Sequence, residues 1–207
     1  MEVNNSAYLE INVGPMFSGK TSKLIEIYKK YSYCNIKVLP INHSSDNRYS
    51  DNMLSSHDRN MIPCVKTSLL FDIDEAVLNS SQVILINEGQ FFPDLYDFVT
   101  AMLQNKKKIY IFGLDGDFER KRFGTILDLI PLCDNVYKLH SLCGLCKTGK
   151  RGIFSKRITN ETSQVVIGSD NYIPCCRECY ENCDWFISIN RKLNKLNKLN
   201  KLNKLNR

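Results

Sequence analysis

Residues 14–21 have the types and the spacing of a loop that binds phosphate groups. The segment reads Gly14-Pro-Met-Phe-Ser-Gly-Lys-Thr21 and fits the pattern G-x-x-x-x-G-K-[ST]. In such a loop the backbone N–H groups surround the phosphates, the lysine reaches the β- and γ-phosphates, and the threonine hydroxyl binds Mg²⁺. The motif predicts binding of a nucleoside triphosphate, but it does not distinguish a kinase from a motor, a helicase or a switch.

A second candidate for chemistry follows the apolar run 83–86. Asn87 and Glu88 come directly after this run. A continuous apolar run is typical of a buried parallel strand, and open α/β sheets bind ligands at the carboxyl ends of their strands. A carboxylate at that edge is placed to act as general base for a substrate hydroxyl. The alternative interpretation is a surface glutamate in a turn.

Six of the nine cysteines lie between residues 143 and 183. Two C-x-x-C pairs bring four thiolates to one tetrahedral ion, which predicts a structural zinc site with no open position for catalysis. The predicted ligands are Cys143, Cys146, Cys176 and Cys179. Cys175 and Cys183 leave the second pair open to a shift, and a set of thiols without metal is the alternative. The remaining cysteines, Cys34, Cys64 and Cys133, are predicted to lie in the core.

These groups need a scaffold, and the pattern of apolar segments predicts one. We expect strands at 8–13, 35–41, 61–65, 83–86 and 108–112, and helices at 21–31, at 72–78 with Asp72 as the cap, and at 94–105. Residues 42–60 are polar and are expected to form a long surface loop. Strands that alternate with helices predict an α/β fold with a parallel sheet.

The composition bounds the class of protein. The chain has 207 residues, 43% of them hydrophobic, which suits one α/β domain with a small appendage. It shows no leading apolar segment and no apolar run of transmembrane length, so we expect a soluble cytoplasmic protein without a membrane partner. Crowded cysteines in a reducing compartment favour metal binding over disulfides.

The net charge of +6 belongs to the end of the chain. Residues 191–207 contain seven basic residues, no acidic ones and five copies of Lys-Leu-Asn. Without them 21 basic residues face 22 acidic ones, so the rest of the chain gives no case for binding nucleic acid. The tail is predicted to be of low complexity; the alternative is a basic tether to nucleic acid or to an anionic membrane.

Taken together, the motifs resemble those of the type II thymidine kinases, the cytosolic and poxviral family. The resemblance covers residues 8 to about 185 and rests on Gly14-Pro-Met-Phe-Ser-Gly-Lys-Thr21, Asp46-Asn-Arg-Tyr-Ser50, His57-Asp-Arg59, Glu88-Gly-Gln-Phe-Phe-Pro-Asp94, Gly113-Leu-Asp-Gly-Asp-Phe118, Lys121-Arg-Phe-Gly124, Phe154-Ser-Lys-Arg157, and the two cysteine pairs with Tyr172 before the second. It implies a P-loop NTPase (RecA-like) domain at 1–140, a small zinc-binding lasso domain at 141–190 that closes the nucleoside pocket, and the tail at 191–207.

The resemblance also implies an activity, its cofactors and a set of site residues. The activity is transfer of the γ-phosphate of ATP to the 5′-hydroxyl of thymidine, with Glu88 as general base, Mg²⁺ held with ATP and by Thr21, and structural Zn²⁺. The residues implied for ATP are Gly14, Pro15, Met16, Phe17, Ser18, Gly19, Lys20, Thr21, Asp46, Asn47, Arg48, Asn87, Gly89 and Gln90. Those implied for the nucleoside are Met16, Phe91, Leu114, Phe118, Phe123, Arg157, Gln164, Val165, Val166, Ile167, Gly168 and Tyr172. A homotetramer and inhibition by dTTP are further implications.

One residue departs from the family pattern. The family usually has Asp-Glu where this chain has Asn87-Glu88, and the missing acid is one that helps to hold Mg²⁺. We therefore expect weaker Mg²⁺ binding and reduced activity with an intact fold. Two other functions stay open at this point: a catalytically weak nucleotide-binding regulator on the same fold, and a zinc-containing nucleic-acid binder with an ATPase motor.

Overall fold

The computed structural model describes residues 6–46, 52–56, 58–166 and 168–182. Three predicted site residues, Asn47, Arg48 and Ile167, lie outside the described residues, as do Cys183 and the tail at 191–207.

The described part of the chain alternates strands and helices over its first two thirds. The strands are β1 (Tyr8–Val13), β2 (Val38–His43), β3 (Met53–Ser55), β4 (Met61–Pro63), β5 (Val65–Thr67), β6 (Val83–Ile86), β7 (Lys108–Gly113), β8 (Asn135–Lys138), β9 (Ser141–Leu142), β10 (Arg151–Gly152), β11 (Phe154–Arg157) and β12 (Tyr172–Cys175). The helices are α1 (Lys20–Tyr33), α2 (Glu75–Ser80), α3 (Leu95–Gln104) and α4 (Arg177–Glu181).

Six strands form the main sheet in the order β5-β2-β6-β7-β1-β8. Every adjacent pair in this sheet is parallel. Parallel strands need crossover connections, and the helices between them cover the sheet. The predicted α/β fold with a parallel sheet is confirmed.

Both faces of the sheet are buried, which explains the continuous apolar runs. On β6, Ile84 and Ile86 point into one cluster together with Phe98 of α3. Leu85, between them in sequence, points into a second cluster with Leu24 of α1. Successive side chains of a strand face opposite sides, so a strand that is buried on both faces can be apolar at every position, as β6 is.

The helix predicted at 72–78 is wrong in its bounds and its cap. Residues Leu70–Asp72 form a short 3₁₀ turn, and α2 begins at Glu75. Its cap is Asp74, whose Oδ1 accepts a hydrogen bond from the Ala76 N–H at 2.7 Å. An N-cap needs an extended backbone, and Asp74 has ψ 129° where Asp72 is still inside the turn.

Two other local predictions change. The stretch expected to be a loop at 42–60 contains the end of β2 and the strand β3, which pairs antiparallel with β4. Cys34 is exposed at the end of α1 and is not a core residue, whereas Cys64 and Cys133 are half-buried. Cys133 and Cys64 pack against the two core clusters.

Beyond β8 the strands are short and antiparallel. β9 pairs with β10, and β11 pairs with β12 along four residues on each side. Residues 157–172, called the lasso below, connect the ends of β11 and β12. Within the described residues, no helix combines the length and the apolar character needed to span a membrane.

Candidate active site

A cleft opens at the carboxyl edge of the parallel sheet, where the segments after β1, β6 and β7 meet. The lasso covers this cleft, and the residues that line it come from both parts of the chain. They are Met16, Phe17, Ser18, Gly19, Lys20, Thr21, Ser22, Ser45, Asp46, Glu88, Gln90, Phe91, Leu114, Gly116, Asp117, Phe118, Phe123, Ser155, Gln164, Val165, Val166, Gly168 and Tyr172.

The loop between β1 and α1 is tightly held. A Cβ at Gly14 would lie 2.5 Å from the carbonyl oxygen of Leu139, so only glycine fits there. The Lys20 ammonium donates to the carbonyl oxygens of Pro15 at 2.7 Å and Gly14 at 3.1 Å. Gly19 has φ 80° just before α1, whose first N–H groups and positive dipole end point into the cleft. The loop therefore has the form of an anion-binding site.

Glu88 follows β6 in a conformation that is rare for a residue with a side chain. Its backbone is left-handed, with φ 53° and ψ 41°. Such conformations cost free energy, and active sites are among the places where they cluster. The Glu88 Oε2 accepts a hydrogen bond of 2.7 Å from the Nε2 of Gln90, and the Leu114 N–H donates to the Gln90 Oε1 at 2.9 Å. The buried Gln90 thus fixes the Glu88 carboxylate relative to the end of β7.

His43, at the end of β2, lies beside this carboxylate. Its ring packs against Phe91 and Phe92, with centroids 5.4 and 4.9 Å away. Burial lowers the pKa of His43, while the nearby Glu88 carboxylate opposes that shift. The environment of the ring therefore disfavours its charged form.

Asn87 does not line the cleft and exposes 2% of its surface. Its Nδ2 donates to the Oδ1 of Asn42 at 2.9 Å. Asn42 in turn donates from its Nδ2 to the Oδ2 of Asp46 at 3.1 Å, and Asp46 lines the cleft. The residue that departs from the family pattern is therefore linked to a cleft acid through one intermediate side chain.

Arg157 organises the lasso from behind the cleft wall. Its guanidinium donates to the carbonyl oxygens of Glu161 and Gln164 at 3.0 Å, and also to that of Ser163. It donates to the Tyr172 hydroxyl at 2.5 Å, and its centre lies 3.8 Å from the centroid of the Phe118 ring. Five N–H donors in a fixed fork suit a loop whose backbone carbonyls must face inward.

A carboxylate in the segment after β7 attaches the lasso to the main domain. Asp117 accepts a 2.9 Å hydrogen bond on its Oδ2 from the Nε2 of Gln164. Its Oδ1 accepts from the N–H groups of Glu119 and Lys121, both at 2.9 Å. A further contact joins the phosphate-binding loop to β11, where the Met16 N–H donates to the Ser155 Oγ at 2.9 Å.

Four thiols cluster at the base of the lasso domain. The sulfur atoms of Cys143, Cys146, Cys176 and Cys179 all lie within 4.8 Å of one another. Tetrahedral Zn²⁺ with Zn–S bonds of about 2.3 Å sets sulfur separations of about 3.8 Å, so the set fits a zinc ion. Hydrogen bonds from Thr148 lower the pKa of Cys146 to about 6, whereas burial raises that of Cys179. A bound cation would allow all four to ionise together.

The cluster shows which cysteine of the second pair joins Cys179 in the candidate metal site. Cys176 joins Cys179 in the group, and Cys175 is not a member of it. Cys175 is fully buried in the apolar cluster that also contains Cys143, Cys176 and Cys179, and its carbonyl oxygen accepts from the Ile153 N–H at 2.9 Å. Its position at the end of β12 directs its side chain to the face opposite that of its neighbour.

Comparison with known proteins agrees with this geometry. The family model for thymidine kinase matches residues 7–180. The chain belongs to the thymidine kinase family. The thymidine kinase of variola virus (isolate Human/India/Ind3/1967) is 42% identical over 177 residues, which cover 85% of this chain and 98% of the relative. That of vaccinia virus (strain Tian Tan) is 40% identical over the same length, and that of myxoma virus (strain Uriarra) is 41% identical over 173 residues.

Most of the described residues that the thymidine kinase resemblance implies come together in the cleft. Gly14, Pro15, Asn87, Gly89 and Arg157 do not line it. Several residues that line or support the cleft were not predicted from the sequence: Ser22, Asn42, His43, Ser45, Gly116, Asp117 and Ser155. Gly116, Asp117 and Ser155 lie inside motifs of the family resemblance, so their place in those motifs was the available signal.

Proposed function

We propose that this protein is a thymidine kinase that transfers the γ-phosphate of ATP to the 5′-hydroxyl of thymidine, giving dTMP. Deoxyuridine has the same reacting group and is proposed as a second substrate. The observation that carries the proposal is the Glu88 carboxylate, held by Gln90 in the same cleft as the phosphate-binding loop. Membership of the thymidine kinase family gives the substrate class.

The loop supplies the donor half of the reaction. Its N–H groups and the first turn of α1 would hold the phosphates of ATP, and Lys20 would move from its carbonyl partners to the β- and γ-phosphates. The oxygen donors Thr21 and Asp46, which line the cleft, suit Mg²⁺ because that ion prefers oxygen ligands. Bound Mg²⁺ would neutralise charge on the phosphate oxygens.

Glu88 supplies the acceptor half. Its carboxylate would accept the proton of the 5′-hydroxyl while that oxygen bonds to the γ-phosphorus and the bond to ADP breaks. Because Gln90 donates to one carboxylate oxygen, the other is directed by the same bond. The fixed geometry would place the hydroxyl in line with the phosphate, which is the main contribution that positioning makes to catalysis.

The nucleoside would lie between the aromatic wall and the lasso. Phe91 and Phe123 meet edge to face with centroids 5.5 Å apart, and Phe118 also lines the cleft. The lasso contributes Val165, Val166 and Gly168 to the same lining. A planar pyrimidine presents donors and acceptors along its edge, which backbone groups of an ordered segment are suited to recognise. Closure would also exclude water from the transferred phosphate.

The proposal is tested by nucleoside-dependent ATP turnover over a panel of nucleosides, with Mg²⁺ varied. Thymidine is expected to give the highest kcat/KM, and Glu88→Gln is expected to abolish turnover while ATP still binds. ATP binding by the native protein without phosphorylation of any nucleoside would contradict the proposal and favour the regulator. The comparisons support the kinase and give no support to that alternative.

Several expectations remain predictions: structural Zn²⁺, inhibition by dTTP, a homotetramer and a cytoplasmic location. The nucleic-acid alternative rests on the tail alone. Salt-sensitive DNA binding that disappears when residues 191–207 are deleted would support it.

A further inference from the structure

The hydrogen bonds that join Asn87, Asn42 and Asp46 have a single direction. A carboxylate only accepts, so the amide NH₂ of Asn42 must face Asp46, and its carbonyl oxygen then faces residue 87. Residue 87 must therefore be a donor. Asparagine meets this requirement and an ionised aspartate does not.

Burial makes this requirement strict. Asn42 and Asn87 expose 1% and 2% of their surfaces, so water is not available to replace a lost partner. An aspartate at position 87 would set two acceptors against each other. If the Asn42 amide turned over to donate to it, the Asn42 oxygen would then face the Asp46 carboxylate. Asparagine at position 87 is thus required for the bond between Asn42 and Asp46. Its effect is not limited to the missing negative charge.

Asp46 also lies in the cleft where a metal–nucleotide complex would bind. The acids among the described residues lining the cleft are Asp46, Glu88 and Asp117. Asp117 accepts from two backbone N–H groups and from Gln164, and Glu88 is oriented by Gln90 as the proposed base. Asp46 shares the cleft lining with Lys20 and Thr21 of the phosphate-binding loop.

We propose that Asn42 and Asn87 are positioning residues that hold the Asp46 carboxylate toward the metal–nucleotide complex, and that Asp46 provides the negative charge that position 87 lacks. The ligand named here rests on the proposed function. The hydrogen-bond chain itself does not, so the two parts are tested separately.

The hydrogen-bond chain of Asn87, Asn42 and Asp46 is tested by the thermal stability of the full-length protein, measured without nucleotide or added Mg²⁺. Asn87→Asp is expected to lower the melting temperature by roughly 3–10 °C, because it leaves buried acceptors facing each other. Adding Asp46→Asn to Asn87→Asp reverses the direction of every bond, since the new amide donates to Asn42 and Asn42 donates to the new carboxylate. We expect the double variant to recover at least half of the loss.

The matched control is Asn79→Asp, which adds the same charge on the exposed face of α2 and should leave the melting temperature unchanged. If Asn87→Asp melts at the same temperature as the native protein, the proposal is overturned. It is also overturned if the melting temperature of the double variant falls by as much as the sum of the two single changes, because the hydrogen bonds then do not position Asp46.

The functional part is tested by binding of Mn²⁺ together with a non-hydrolysable ATP analogue, followed by electron paramagnetic resonance. Asp46→Asn and Asn42→Leu should weaken Mn²⁺ binding about tenfold or more. Tighter Mn²⁺ binding by Asn87→Asp with an unchanged melting temperature would show that position 87 acts on the metal directly, against the proposal. Failure of the proposed function would instead appear as no nucleotide binding by the native protein. The melting temperatures of the single and double variants would still test whether the hydrogen bonds position Asp46.

Discussion

At the scale of single residues, Gln90 sets the direction of the Glu88 carboxylate. Both ends of its amide are engaged, by Glu88 on one side and by the Leu114 N–H on the other. Two glycines make room for it: a Cβ at Gly113 would lie 2.5 Å from the Gln90 side-chain oxygen, and one at Gly124 would lie 2.4 Å from its backbone oxygen. Gln90 is therefore closely packed as well as hydrogen-bonded at both ends of its amide.

Replacing Gln90 with an apolar residue of similar length should misdirect the base. We expect Gln90→Met to lower kcat for thymidine about tenfold to hundredfold, because a general base displaced by about 1 Å loses most of its advantage. The affinity for an ATP analogue should change by less than about twofold, since the hydrogen bonds of the Gln90 amide join it to Glu88 and Leu114 and leave the phosphate-binding loop in place. Steady-state kinetics and calorimetry measure the two quantities. Gln104→Met, at the exposed end of α3, is the control; an unchanged kcat in a folded Gln90→Met protein would refute the role.

His43 makes the stability of the fold depend on pH. Burial lowers its pKa in the folded protein below the ordinary value of 6.5, so the unfolded chain binds a proton more readily. The contribution of His43 to the free energy of unfolding is therefore fully present above pH 6.5 and is lost as the pH falls toward the pKa of the folded state. His43→Gln should flatten the melting temperature between pH 7 and about pH 5 relative to the native protein. The exposed His140→Gln serves as control, and parallel curves for all three proteins would show that His43 carries no such linkage.

At the scale of elements, features that depend on neighbouring residues in the sequence were predictable, and features that depend on distant residues were not. The bounds of β1 and β6 were predicted correctly, because a buried parallel strand is marked by its own apolar residues. The cap of α2 was missed because Asp72 and Asp74 are both good caps and only backbone conformation separates them. The bond from Met16 to Ser155 joins residues 139 positions apart, and no local pattern signals such a contact.

Arg157 holds the lasso in shape through several hydrogen bonds. A change at Arg157 should therefore affect the kinetics of the nucleoside and not those of ATP. Arg157→Lys keeps the charge but loses the fork that binds several carbonyl oxygens at once. We expect KM for thymidine to rise about tenfold or more, while KM for ATP changes little. Arg151→Lys on the exposed strand β10 is the matched control. Equal increases in the two KM values would show that Arg157 supports the whole fold and not the lasso in particular.

At the scale of the whole molecule, two cores are joined across one cleft. Among the described residues, the clusters that cover the two faces of the sheet contain none beyond 133, and the cysteine cluster at the base of the lasso has its own buried set. The two parts are joined by specific polar contacts, among them Met16 with Ser155, Asp117 with Gln164, and the Tyr180 hydroxyl with the Phe118 carbonyl oxygen at 2.6 Å. The part of the chain around the phosphate-binding loop has its own core, whereas the part that carries the lasso is small, and we expect it to rely on the four-thiol cluster.

Loss of the metal should therefore separate the two substrate affinities. The native protein is expected to contain about one zinc per chain by elemental analysis, and Cys143→Ser should contain almost none. Thymidine affinity should fall at least about tenfold, because the lasso loses the anchor at its base. Binding of an ATP analogue should weaken only severalfold, since the loop loses little beyond its contact with Ser155. Cys34→Ser, at an exposed position outside the cluster, should behave like the native protein. If Cys143→Ser lost both affinities together, the part of the chain around the phosphate-binding loop would depend on the zinc cluster for its own folding.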